Sequence, residues 1–91
     1  MKQLGPFYPY CTIGEDLEVT ISKPDENGNI YAHFEKPDEK IGFKTLDIAI
    51  FNLNTVNNIG FDKNEIEKAI DFVNKNANIM THISLEEKRN A

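Results

Sequence analysis

Residues 17–35 read LEVTISKPDENGNIYAHFE, and the alternation in this stretch decides the fold. From Leu17 onward, Leu17, Val19 and Ile21 fall on one side of an extended chain, while Glu18, Thr20 and Ser22 fall on the other. Successive side chains of a strand point to opposite faces, so this is the pattern of a half-buried strand. The pattern returns with Ile30, Ala32 and Phe34 inward and Tyr31, His33 and Glu35 outward. Between the two runs lie Pro24-Asp25 and Asn27-Gly28. Proline presets φ and Asn-Gly tolerates positive φ, so both dipeptides favour turns, and the stretch predicts a β-hairpin. Two registers fit it. If Thr20 faces His33, then Glu18 faces Glu35; if Asn27-Gly28 forms a two-residue turn, Thr20 faces Glu35 instead.

Downstream, Pro37 to Lys40 reads as a linker into Ile41 to Phe51. There Leu46, Ile48 and Ile50 alternate with Thr45, Asp47 and Ala49, which favours a third strand. Leu46, Ala49, Ile50 and Leu53 also fall at helical spacing, so an amphipathic helix is the alternative. The helix start is clearer. Asp62 stands at an N-cap with Glu65 three residues on, and Phe61 and Ile66 occupy the hydrophobic-staple positions. Ile66, Ala69, Ile70 and Val73 form one stripe, so a helix is expected from about residue 63 to 76, weakened beyond by Asn74, Asn76 and Asn78. Residues 79–85 fit either a strand or more helix, and Ser84 with Glu87 fits the cap of a last turn before a frayed tail. Upstream, Leu4 to Ile13 carries Phe7, Tyr8 and Tyr10 together with Pro6 and Pro9, which confine it to an extended or edge position. Its aromatics are expected to cover one end of the core, the alternative being a peptide-binding groove.

These elements predict one α+β domain over residues 1–91, an antiparallel sheet of three to four strands with one main C-terminal helix on its inner face. The expected core is Leu17, Val19, Ile21, Ile30, Ala32, Phe34, Leu46, Ile48, Ile50, Ile66, Ile70 and Val73. A chain of 91 residues has room for one core, and 40% hydrophobic with 27% charged content is that of a folding domain. Cys11 is the lone cysteine, which fits a reducing compartment. No apolar run near Met1 has the length of a leader, and no stretch reaches that of a membrane span, so a cytoplasmic protein without membrane partners is expected.

The charge is uneven. Residues 15–39 hold eight acids against Lys23 and Lys36, a net of −6, so the formal total of −5 belongs to this segment. Such a surface repels phosphate backbones, and direct nucleic-acid binding is not expected. The acids either solubilise the hairpin and guard its edges or dock a basic partner. Groups for catalysis are sparse: Ser22 and Ser84 lie in no nucleophile turn, and Cys11, with His33 or His82 as its base, reads more simply as a small buried hydrophobe. The five glycines are isolated, so no phosphate loop and no nucleotide cofactor is implied, and none of another kind. In the first of the two registers Glu18, His33 and Glu35 converge on the outward hairpin face, where two carboxylates and an imidazole suit a divalent cation or acid-base work; a solvated strand face is the alternative.

Tyr31-Ala32-His33-Phe34-Glu35, set after an alternating strand and a Gly-containing turn and before a closing helix, resembles small uncharacterised bacterial proteins that carry a Pro-His-Phe-His strand motif. His33 and Phe34 match; Ala32 and Glu35 replace the proline and the second histidine. The resemblance implies a compact strand-rich domain with a C-terminal helix and no particular activity. The functional expectation is a non-catalytic interaction module, an inhibitor or accessory subunit, meeting a basic protein surface through Glu18, Glu26, Tyr31, His33 and Glu35, with a homo-oligomer also open. The alternative is a small metal-dependent enzyme or metal-binding protein using His33, Glu35 and Glu18.

Overall fold

The computed structural model describes residues 6–89. Met1 to Gly5, which bear on the leader and on the start of the opening segment, and the last two residues of the expected frayed tail lie outside the described residues. The chain forms β1 (Phe7–Ile13), β2 (Leu17–Ser22), β3 (Tyr31–Asp38), β4 (Gly42–Ala49), β5 (Thr55–Ile59) and α1 (Lys63–Arg89). The strands make one antiparallel meander in chain order, β1-β2-β3-β4-β5, with α1 on one face. This is the expected α+β arrangement, but with five strands rather than three to four. β1 occupies an edge and bends at a register shift between Pro9 and Cys11, as its prolines require. β5 at the other edge has no buried residue, and its Asn57-Asn58 pair has low strand propensity, so no alternation announces it.

The hairpin takes the first of the two registers. Thr20 faces His33 and Glu18 faces Glu35. The connection is longer than an Asn-Gly turn because Asp25 organises it: its Oδ1 accepts from the N–H groups of Asn27 and Asn29, both at 2.9 Å. Residues 42–49 are strand, as the alternation favours, and residues 36–44 close a second hairpin rather than a linker, with Lys36 opposite Lys44.

The core lies between the sheet and α1. Val19, Ile21, Ala32, Phe34, Leu46 and Ile48 meet Val73 and Met80 there, each at most 1% exposed. Leu17, Ile66 and Ile70, expected inside, pack against this core only partly buried, and so does Cys11. Phe61, Ala69 and Met80 join it instead.

The helix runs through the asparagines to Arg89, so it does not end near residue 76, and residues 79–85 are helical. Tertiary contacts override local propensity here. Ala69, Val73, Met80 and Ser84 bury one continuous face. Asn76 is held on both sides, donating to the Phe72 carbonyl at 2.8 Å and accepting from the Tyr10 hydroxyl at 2.8 Å. The buried Ser84 hydroxyl donates to the Ser22 carbonyl at 2.6 Å.

The helix start forms the expected capping box, with Glu65 N–H donating to Asp62 Oδ1 at 2.8 Å and Asp62 N–H to Glu65 Oε1 at 3.0 Å. Glu65 also pairs with Lys44 at 3.3 Å, tying the helix to β4. The approach needs glycine at Gly60, where φ is +94° and a Cβ would lie 2.9 Å from Lys44 Cγ. Replacing Asp62 by alanine is expected to cost about 1 kcal/mol, as N-cap removals do. In a domain of this size that lowers the melting temperature by roughly 4–8 °C, read by circular dichroism. Ser84→Ala, which strips a buried carbonyl of its donor, is expected to cost a similar amount or more. An unchanged melting temperature in either variant contradicts the corresponding contact.

Candidate functional site

With α1 on one side, the opposite side of the sheet carries Thr20, His33, Glu35, Thr45, Asp47 and Asn57, brought level by strand register. Alternation puts the polar residues of β2 to β4 there, because their strands commit the alternate positions to the core, and pairing with Asp47 brings Asn57 beside them. A polar chain crosses three strands. His33 Nδ1 donates to Asp47 Oδ1 at 2.6 Å, Asn57 Nδ2 donates to Asp47 Oδ2 at 3.3 Å, and His33 Nε2 lies 3.5 Å from Glu35 Oε1. Asp47 is only 4% exposed although it faces away from the helix. A carboxylate so desolvated needs partners, and both of its oxygens have one. The Phe7 ring from β1 leans over the imidazole, with centroids 4.8 Å apart and planes tilted by 31°.

The hydrogen bond that Asp47 accepts holds the His33 pKa above its ordinary 6.5. Burial of the ring opposes this, while the charge of Asp47 and the weaker contact with Glu35 add to it. The pair therefore favours an imidazolium bridging two carboxylates across β3 and β4.

Beside this chain the sheet face forms an open concavity of about 440 Å³, lined by Glu15, Asp16, Glu18, Thr20, His33, Glu35, Pro37 and Phe43. Glu18, His33 and Glu35, expected to converge, do so. Tyr31 shares the face opposite Ala49, and Glu26 sits apart in the β2–β3 connection. Asp47, the deepest member of the polar chain, is not among the residues that the sequence singled out; its signal was its place on the polar side of the alternation in residues 45–50.

Among the described residues no group of three or more His, Cys, Asp or Glu is arranged to hold a metal ion. Both nitrogens of His33 already face carboxylates, and Glu18 meets this group only as part of the lining of the concavity. Cys11 lies on the inner side of the sheet opposite Val19, so the sheet separates it from His33, and burial pushes its thiol up, which disfavours the nucleophilic thiolate. No helix among the described residues is long and apolar enough to cross a membrane. No family model, curated protein or solved structure matches this chain.

The His33 shift predicts a pH dependence. A group whose pKa is raised by folding contributes its full stability below the unfolded value of 6.5 and loses it as pH rises through the folded value. The urea midpoint of the wild type is therefore expected to exceed that of His33→Gln by more at about pH 6 than at about pH 9. A difference that stays constant between the two would contradict a charged His33–Asp47 pair.

Proposed function

We propose that this protein is a non-catalytic interaction module, acting as an inhibitor or accessory subunit, whose uncovered sheet face receives a basic segment of a partner protein. The observation that carries this reading is the concavity beside His33, which draws four carboxylates from Glu15, Asp16, Glu18 and Glu35 and no lysine or arginine. A hollow lined by one sign of charge concentrates the opposite sign. Glu18 and Glu35 face each other across β2 and β3, a spacing that suits a guanidinium more than a hydrated ammonium, because its planar fork reaches two carboxylates. Phe43, 54% exposed at the rim, supplies apolar surface for the stem of such a side chain. His33, which lines the hollow, is held in place by its bond to Asp47 behind it. Glu26, outside the hollow, adds to the field that steers the partner rather than to the contact.

The test compares two proteins of equal net charge. Glu18→Lys with Glu35→Lys alters the hollow, while Glu67→Lys with Glu86→Lys alters the far side on α1. In affinity capture at low and moderate salt, partners held by the wild type are expected to be retained by the helix variant and lost by the hollow variant. For a captured partner, the hollow variant is expected to associate more slowly and with a flatter salt dependence, because charges beyond a Debye length of about 8 Å contribute little. Equal losses in both variants would mean that net charge alone governs binding, and retention by the hollow variant would reject the site.

A further inference from the structure

The covered face of the sheet is not closed along its whole length. Between the first half of α1 and the β1–β2 end of the sheet lies an open groove of about 440 Å³. Its floor and walls are Ile13, Leu17 and Phe34 from the strands, with Phe61, Ala69 and Phe72 on the helix side. The aromatic walls are fixed by each other, since the Phe72 ring meets both Phe34 and Tyr10 edge-on at 6.3 Å. Ala69 keeps the helix side shallow where a longer side chain would fill the space. Volume and apolar lining are those of a small-molecule site, which also needs a few polar groups to orient the ligand.

The charged groups at the rim supply the sign. Glu65 is committed to Lys44 and to the cap of α1, and Asp71 is committed to Lys75 at 2.9 Å. Lys36 and Lys68, from the sheet and the helix respectively, line the same groove and have no carboxylate partner among the described residues. Two ammonium groups outside these pairs, one from the sheet and one from the helix, both lining an apolar trough, fit a ligand with an apolar body and an anionic head. We propose that this groove binds a free medium-chain fatty acid, the alkyl chain lying along Ile13, Leu17 and Phe72 and the carboxylate held between Lys36 and Lys68. The site lies on the opposite side of the sheet from the acidic hollow and does not depend on how that hollow is used.

The probe is decanoate, titrated below its micellar range into the full ¹⁵N-labelled chain and followed by amide chemical shifts. Shifts are expected at Ile13, Leu17, Ala69 and Phe72 and not at Thr20, His33 or Glu35. Each methylene added between octanoate and decanoate should tighten binding by roughly two- to fourfold, as burial of alkyl surface requires. Lys36→Glu with Lys68→Glu, both at the rim, should weaken decanoate roughly tenfold without lowering the melting temperature. The same variant should leave decanol unaffected, and decyltrimethylammonium should bind the wild type more weakly than decanoate does. Absence of localised shifts, or equal affinity for the anionic, neutral and cationic decyl compounds, would overturn the proposal. So would binding to vesicles of phosphatidylglycerol with none to free decanoate, which would make the groove a membrane contact instead.

Discussion

The pairing of β2 with β3, in which Thr20 stands opposite His33, decides what each side of the sheet carries. In a strand the side-chain period is two, so a slip of one residue would send Ala32 and Phe34 to solvent and bring His33 and Glu35 into the core. The register is held at the turn. Asp25 ties the connection through its carboxylate, and at its base the Ser22 hydroxyl accepts from the Tyr31 N–H at 2.9 Å. Everything further out inherits this alignment: β4 sets Asp47 against His33, and β5 sets Asn57 against Asp47.

A single helix covers one face of a five-stranded sheet, and it is fastened at both ends and in the middle. Its start is joined to β4 through Glu65 and Lys44, its centre to β1 through Asn76 and Tyr10, and its last turns to β2 through Ser84 and Ser22. Only the residues between these ties close fully on the sheet. The sheet's other face keeps its polar side chains in contact with one another and with solvent, which is the usual state of an antiparallel sheet covered on one side. A buried carboxylate on that face would be costly alone, and the imidazole and amide around Asp47 supply what water would otherwise supply.

The central hairpin, the strand at residues 42–49 and the helix start were legible because each rests on a local rule: alternation in two cases, a capping box with its staple in the third. What escaped depends on distance. β5 has neither alternation nor buried residues and exists because β4 offers it an edge. The asparagines near residue 76 argue locally for a helix end, and Tyr10, 66 positions away in sequence, answers that argument with a hydrogen bond. The site was half legible. Glu18, His33 and Glu35 lie on two strands whose turn could be read, whereas Asp47 joins them only once residues 36–44 form a hairpin.

The two sides of one sheet carry the two proposed binding surfaces, an acidic hollow beside His33 and an apolar groove with a charged rim beside Phe72. Both presuppose the same hairpin register, because only that alignment puts Glu18 next to Glu35 while keeping Val19 and Phe34 paired beneath the helix. Cross-strand backbone proton contacts measured by nuclear Overhauser spectroscopy read this alignment directly. The account predicts contacts joining Thr20 to His33 and Glu18 to Glu35, and contacts joining Thr20 to Glu35 would contradict it.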